Sequence, residues 1–352
     1  MRVLLVCEEI TSQPREGTLV FLMHLARLLH RESELTVLHA VGETETGLKA
    51  ARELSPRTFL TRKALRRFAC ERFDVVLYVP FAGLTRSALA RAGALKLLAK
   101  RPTVVIALQE RPGNGPGPAS LLLGRPDLVL SPVRAVRERL ERFGIDTGLI
   151  IPGYDDRLFR PVSAESRARL KGKYGLPRDR FVLLHVGHLR ESRNLEVLLR
   201  YRDWGPDVQP AVKAGAVDPS WARRLRTAGI IVIDEYFRDV HELYQASDAY
   251  IFPVTAPGGA VELPLSVIEA CACNLPVLAT RFGLLPEMLR EGGGLAFYDR
   301  SSEIAGALAA LRRSRPETSA KVRELSWDAV LRARLMPRLV ELAARSRERT
   351  RH

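Results

Sequence analysis

Two carboxylates, Glu262 and Glu269, flank a proline in the stretch GGAVELPLSVIEACACNLPVLATRFGLLPE at 258–287. Pro264 suits the first turn of a helix, because its missing N–H would have no partner there anyway. A helix starting at this point leaves the amides of Leu265, Ser266 and Val267 pointing out of its end, an anion site by geometry and by dipole. Glu269 follows about one turn later, where a carboxylate can accept hydrogen bonds from a pair of sugar hydroxyls. The plainer reading of Glu269 is a first-turn acid that favours the helix dipole. Other reactive residue types give less. His185 and His188 bracket Gly187 at a strand end, but a metal site needs a third ligand and none lies nearby in sequence. Cys271 and Cys273 read as small helix-packing residues, and Lys213 reads as a solvated strand end.

Other phosphate-binding patterns are missing. No G-x-G-x-x-G follows the first strand, which argues against a dinucleotide-dependent dehydrogenase, and there is no Walker A sequence. The run Gly113–Pro118 is glycine-rich, yet its two prolines remove amides that a phosphate cradle would use. It reads as a surface loop.

The elements that must position these residues follow an α/β pattern. Short apolar runs at 3–6, 35–40, 74–79, 103–108 and 127–130 alternate with helical patterns, including one that places Leu19, Leu22, Leu25, Ala26 and Leu29 on one face and others at 60–72, 84–99 and 132–143. Residues 8–17 read as the loop after the first strand. Near-continuous apolar strands separated by helices indicate a parallel sheet covered on both faces. The pattern breaks at 150–161 (IIPGYDDRLFRP), a turn-rich linker. It restarts with strands expected at 181–186, 209–213, 230–233, 249–252 and 276–279 and helices at 192–200, 218–227, 239–246 and 264–273. From Ser326 to about Arg345 runs one amphipathic helix pattern, interrupted by Pro337. Two doubly wound, Rossmann-like domains facing a central cleft are therefore expected: 1–156, with 327–352 crossing back to it, and 157–326. Ligands of such sheets bind outside the carboxyl ends of the strands, so the cleft is the expected site.

Composition sets the outer bounds. The 352 residues are 46% hydrophobic and 27% charged, typical of a folded chain. No apolar run reaches the roughly 20 residues of a membrane span, and the start is too short in apolar residues for a signal peptide. Four cysteines without a C-x-x-C pair support neither a disulfide framework nor a zinc site. A cytoplasmic location is expected. The net charge is +15, and only eight of the 55 basic residues are lysine. Arginine matches phosphate and carboxylate geometry, so the excess fits a polyanionic partner (nucleic acid, an anionic membrane or a phosphorylated substrate) or an arginine bias spread over the surface. In RTFLTRKALRRFACERF at 57–73, Arg62, Lys63, Arg66 and Arg67 accompany Leu65 and Phe68. A basic amphipathic helix of this kind can lie on an anionic membrane, or it can be a core-facing stripe with a wet basic back.

Three ordered segments carry a family resemblance. Val261–Thr280 with Gly283, Pro286 and Glu287 resembles the pattern E-G-x-x-L-x-x-x-E-A-M-A-C-G-x-P-V-V-A-T-x-x-G-G-x-P-E. His185–Leu195 (HVGHLRESRNL) resembles V-G-R-L-x-x-x-K-G-x, and Ile151–Pro161 resembles N-G-V-D-x-x-x-F-x-P. These are the signatures of the retaining GT-B glycosyltransferases, specifically the large nucleotide-sugar-dependent family numbered 4. The resemblance covers the second half well and the first half only as a fold pattern.

The resemblance implies a sugar transfer from a nucleoside diphosphate donor to a glycan, lipid-linked or small-molecule acceptor with retention of configuration. It implies no metal or other cofactor, and no nucleic-acid partner. Arg193, in the family's lysine position, would neutralise the diphosphate; the amides near Leu265 and Ser266 would hold phosphate oxygens; Glu269 would bind the ribose hydroxyls. Gly17 would bring the first domain's backbone against the donor phosphate, and the loop 234–238 would lie near the base. Arg193, Glu262 and Gln109 are the implied catalytic set, with Gly17, His188, Leu265, Ser266 and Glu269 as further donor contacts. The chain departs from the pattern at three places. His188 replaces an arginine, Glu262 falls one residue after the family's first glutamate (which aligns with Val261), and Gln109 stands where the family often has a histidine near the donor sugar. These departures motivate an alternative, a non-catalytic nucleotide-sugar-binding partner or sensor of GT-B fold; an epimerase of the same fold is a third reading. Many relatives use lipid-linked acceptors, which adds a peripheral position on the cytoplasmic membrane face to the expectations.

Overall fold

The computed structural model describes residues 1–12, 17–43, 47–81, 83–109, 124–235, 239–256 and 258–351. The Gly113–Pro118 run and positions 236–238 of the loop expected near the base lie outside the described residues. The chain divides into two compact units, Met1–Ile151 with Trp327–His352, and Pro152–Ser326. The first unit thus ends at 151 rather than 156, because Tyr154 already pairs with the end of the second unit: its N–H donates to the Leu325 carbonyl at 3.0 Å.

In the first unit, strands β1 (Arg2–Thr11), β2 (Glu34–Glu43), β3 (Ala50–Ala51), β6 (Val75–Val79), β7 (Thr103–Ile106), β8 (Leu128–Leu130) and β9 (Thr147–Gly148) form a parallel sheet in the order β3-β2-β1-β6-β7-β8-β9. A separate two-strand hairpin joins β4 (Leu54–Ser55) and β5 (Phe59–Leu60). The connecting helices are α1 (Gly17–Glu32), α2 (Arg62–Cys70), α3 (Arg86–Ala99) and α4 (Arg134–Glu141). Valine and leucine runs such as Val75–Val79 are buried along their whole length, as a sheet covered on both faces requires. On α1, the face predicted from spacing is buried, and Phe21 and Leu28 join it. β1 runs on to Thr11, beyond the predicted strand into the expected loop, because Glu9, Ile10 and Thr11 keep their parallel register with Val41, Gly42 and Glu43.

The second unit repeats the plan. After α5 (Ala164–Lys173) come β10 (Phe181–Leu189), β11 (Val208–Val217), α6 (Pro219–Thr227), β12 (Ile231–Ile233), α7 (Val240–Ala246), β13 (Ala249–Phe252), α8 (Leu265–Ala272), β14 (Val277–Thr280), α9 (Leu285–Met288), β15 (Leu295–Tyr298), α10 (Ile304–Arg313) and α11 (Thr318–Lys321). All pairs in its sheet are parallel, in the order β12-β11-β10-β13-β14-β15. The helix expected at 192–200 is instead a 3-10 helix over Leu195–Trp204, preceded by a short 3-10 turn at Glu191–Arg193. Asn194 between them is left-handed (φ +53°) and stops the first turn. Asparagine is one of the few residues that takes this conformation routinely.

The tail returns to the first unit as α12 (Trp327–Arg334) and α13 (Met336–Arg351). Trp327 stacks on His24 of α1 (ring centroids 4.9 Å apart, planes at 14°) and meets Phe21 edge-on. Arg31 grips Asp328 with one terminal nitrogen at 2.6 and 2.7 Å from its two oxygens. The break falls at Leu335, not at Pro337. Pro337 is the second residue of α13, where a missing N–H costs nothing.

One glycine holds the carboxyl end of the first sheet. Gly83, just after β6, has φ +75°, and a Cβ there would lie 2.1 Å from the carbonyl oxygen of Gln109, which follows β7. Gly83→Ala combines left-handed strain with a backbone clash, and should lower unfolding stability by about 2–4 kcal/mol. A urea unfolding midpoint equal to that of the unsubstituted protein would contradict this account of the turn.

Candidate functional site

Reversal of strand order opens a crevice at a parallel sheet's carboxyl edge. In the second unit the reversal falls between β10 and β13, which are neighbours although β11 and β12 separate them in sequence. The segment leaving β10 carries Arg190, Arg193 and Asn194; the segment leaving β13 runs through Gly259 and Glu262 into α8. The two segments are bound together. Arg190 donates to the Gly259 carbonyl at 3.1 Å, and the Asn194 amide donates to the Pro253 carbonyl at 2.9 Å. A Cβ on Gly259 would lie 2.5 Å from the Ser192 carbonyl oxygen, so glycine is required for this approach.

Tyr250, fully buried on β13, is the hub. Its phenol is hydrogen-bonded to the Ser266 hydroxyl and feels the charges of Arg193 and Glu269. It also lies 3.5 Å from the Val186 carbonyl. Arg193, from the turn after β10, and Ser266 and Glu269, both on α8, thus all act on one hydroxyl. At the start of α8, the Val267 and Ile268 N–H groups both turn back to the Pro264 carbonyl (3.1 and 3.4 Å). No side chain caps this end. Leu265 and Ser266 stay partly exposed while Leu263 and Pro264 are buried, so the helix start is not sealed.

Charge at this place is held against burial. Desolvation pushes the Arg193 guanidinium below its ordinary range, and Arg190 beside it pushes the same way. Its Nε is buried without a hydrogen-bond partner among the described residues. Burial raises the Glu269 carboxyl to about 7, opposed by the hydrogen bond that the Tyr244 phenol donates to it at 2.8 Å. Tyr244 is itself fixed by Phe159 of the linker, whose ring meets it edge-on at 5.6 Å. Gln245 beside it donates to the Leu158 and Arg160 carbonyls. The linker segment thus has a structural task that sequence reading missed: it braces the tyrosine that holds Glu269.

Glu262 lies on the same loop, half-buried, with its main chain pinned: its carbonyl accepts from the Leu284 N–H at 2.7 Å. Gly283 makes this possible, being left-handed (φ +54°) with space for no Cβ within 2.2 Å of that oxygen. His188 belongs to the other flank. The ladder between β10 and β11 is irregular between Gly187 and Leu189, and the His188 ring packs over Gly215 of β11, where a Cβ would lie 3.0 Å from its Nδ1. Lys213 is a correction. It is not a solvated strand end but 8% exposed, with Nζ 2.6 Å from the Ala214 carbonyl. Burial lowers its pKa and Asp234 pulls it back up. Cys271 and Cys273 are buried on and just after α8, and burial drives both thiols upward.

Two predicted residues belong to the first unit and are seen there alone. Gly17 is the exposed first residue of α1. Gln109 donates its amide to the hydroxyl of Thr18, the next residue, at 3.1 Å. Tyr244 and Tyr250 were missed altogether, since a tyrosine in an apolar strand or helix reads as core until its hydroxyl is located.

Comparisons with known proteins bear on the fold and on the domain that holds this site. Residues 180–314 match the family described as Glycosyl transferases group 1. Among curated proteins, the D-inositol 3-phosphate glycosyltransferase of Thermomonospora curvata is 28% identical over 260 residues, covering 62% of this chain and 59% of that protein. The D-inositol 3-phosphate glycosyltransferase 2 of Catenulispora acidiphila is 28% identical over 230 residues, covering 56% and 52%. The chain thus spans between about half and three fifths of these relatives. Solved structures share the fold: a glycosyltransferase from Rickettsia africae (TM-score 0.73, 14% identity, 97% of this chain and 98% of that one) and Anabaena HepE in complex with UDP and glucose (TM-score 0.67, 16% identity, 99% and 98%). The fold is GT-B, built from two Rossmann-like units. Residues 180–314 thus carry a domain of the kind described as Glycosyl transferases group 1, within a chain of GT-B fold.

Proposed function

We propose that this protein transfers a sugar from a nucleoside diphosphate donor to an acceptor, with retention of configuration and without a metal. The observation that carries the reading is the convergence of Arg193, the uncapped start of α8 and Glu269 around the Tyr250 hydroxyl. A guanidinium and a helix start at one strand-order reversal suit a diphosphate. A carboxylate about one turn along the helix suits the vicinal hydroxyls of a ribose. Cleavage at the anomeric carbon builds negative charge on the departing diphosphate, and fixed donors in a dry site lower that barrier most. Anabaena HepE, of the same fold, is seen with UDP and glucose, which makes UDP the first nucleotide to try. Glu262 and Gln109 are assigned to the sugar and acceptor side of the reaction, and Gly17 and His188 to the donor, on the family resemblance.

The acceptor is proposed to be membrane-borne. On α2, Leu65 is 42% exposed beside exposed Arg62, Lys63 and Arg66. Arg67 is not part of that face, being held by Glu53 and Glu71 at 2.6 Å. No described helix is long and apolar enough to cross a membrane, so the contact would be peripheral.

Four outcomes are expected. In a thermal-shift screen of UDP, GDP and ADP, one diphosphate should raise the melting temperature, since a ligand of the folded state stabilises it. Arg193→Ala should abolish most of that shift and reduce transfer by about 10²–10³-fold, the scale of one lost electrostatic contact; transfer near that of the unsubstituted enzyme would mean the diphosphate is misplaced. Glu269→Gln separates binding from stability. A carboxyl raised from 4.5 to about 7 costs the folded state more as pH climbs through that interval, and the cost is full above 7. The Gln variant should therefore melt roughly 2–5 °C higher at pH 8 and show no gain at pH 4, while binding the nucleotide more weakly. An unchanged melting temperature at pH 8 would show that Glu269 is not held against burial. Finally, the protein should pellet with vesicles of acidic lipid at low salt and be released at high salt; no lipid-dependent pelleting removes the membrane proposal.

A further inference from the structure

Beside Arg193 stands a second polar group that the donor reading leaves unused. His185, on β10, is wholly buried. Its Nδ1 lies 3.1 Å from the Ile251 carbonyl oxygen on the neighbouring strand. A carbonyl can only accept, so Nδ1 carries the proton and Nε2 presents a lone pair. The ring lies roughly parallel to that of Tyr250, which fixes the direction of that lone pair. Among the described residues Nε2 has no hydrogen-bond partner, and neither does the buried Nε of Arg193. The two side chains face the same space. A Cβ built on Gly187 would lie 3.0 Å from His185 Nε2 and 3.3 Å from Arg193 Nη1. An orphaned acceptor and a terminal nitrogen of the guanidinium thus face the same gap that glycine leaves open, in a place where an unsatisfied polar atom is costly.

We propose that His185 is a positioning residue for Arg193: a small rotation of the guanidinium brings one N–H across Gly187 onto the imidazole acceptor that the structure leaves unpartnered, fixing the fork so that the remaining donors meet the diphosphate. A guanidinium has five N–H donors in a rigid plane. Holding one of them from behind sets the orientation of the others without placing a competing negative charge beside the phosphates. Burial, and then the nearby Arg193 charge, push His185 down to about 4, so the ring stays an acceptor at neutral pH. Any side chain at 187 would fill the gap and separate the pair.

The inference rests on the donor reading above, and the test keeps the two apart. Asparagine at 185 can keep the hydrogen bond to Ile251 but does not reach Arg193; glutamine places an amide near the position of Nε2. Calorimetric titration with UDP, GDP and ADP, and with the matching nucleosides, should find His185→Asn binding the preferred diphosphate about 10-fold more weakly, the scale of one hydrogen bond to a charged group. Nucleoside affinity should not change, and His185→Gln should recover most of the loss. In an Arg193→Ala background His185→Asn should have no further effect, because a residue acting through another shows coupling in a double-mutant cycle. Diphosphate binding by His185→Asn equal to that of the unsubstituted protein, or a loss that persists undiminished in the Arg193→Ala background, overturns the proposal. Nitrogen-15 imidazole spectra give a readout that needs no ligand: His185 Nε2 should appear unprotonated at pH 7, and its shift should move in Arg193→Ala. A protonated Nε2, or a signal indifferent to Arg193→Ala, overturns the proposal as well. If no nucleotide binds the unsubstituted protein, the donor reading falls, and the spectra alone decide whether the two side chains are paired.

Discussion

Everything at the candidate site depends on two chain segments being held within one residue's width of each other where the second sheet reverses its strand order. Parallel strands supply the opening but not the closure, because segments leaving neighbouring strands diverge to opposite faces of the sheet. Here closure comes from Arg190 on the Gly259 carbonyl, Asn194 on the Pro253 carbonyl, and the absence of a side chain at Gly259. These are contacts to backbone, so they fix the course of the chain rather than the pose of a single side chain. The left-handed turn at Asn194 places its amide for this task while ending the turn that carries Arg193. Remove the tie, and the guanidinium and the start of α8 have no common target.

A second principle is that polar groups around Tyr250 are kept short of partners. Arg193 is pushed toward neutrality by burial, Glu269 is pushed the same way, and two side-chain nitrogens are left without hydrogen bonds. Such an arrangement lowers the stability of the empty protein. It is tolerable because the surrounding core is well filled, with Tyr244, Tyr250 and Phe252 all wholly buried. A bound anion with vicinal hydroxyls would supply what these groups lack, so part of the folding free energy withheld here returns as binding free energy.

How much of this could be read beforehand depended on whether the signal was local. The parallel sheets followed from apolar runs such as Val75–Val79 and Val277–Thr280, which no exposed surface would tolerate. α8 followed from Pro264, and its neighbours from their spacing. α5 went unseen because it buries little beyond Leu170 and the stem of Lys171, giving no periodic stripe; its mark was a cap, Ser163 accepting from the Ser166 N–H. The 3-10 form of Leu195–Trp204 and the break at Leu335 depend on conformations that spacing cannot register. The site was visible where a family pattern named it, at Arg193 and Glu269. Tyr244, Tyr250, His185 and the burial of Lys213 were not, since each depends on which way a strand or helix turns a polar tip toward residues remote in sequence.

The return of α12 and α13 to the first unit has a consequence for how the chain is made. Pro152–Ser326 is an insertion within a unit whose elements α12 and α13 are synthesised after it. While the inserted unit is still emerging from the ribosome, Phe21 and His24 await the indole of Trp327, and α1 keeps an uncovered face. The nascent first unit therefore spends the whole of that interval unfinished, and its maturation is timed by elements made only after the inserted unit.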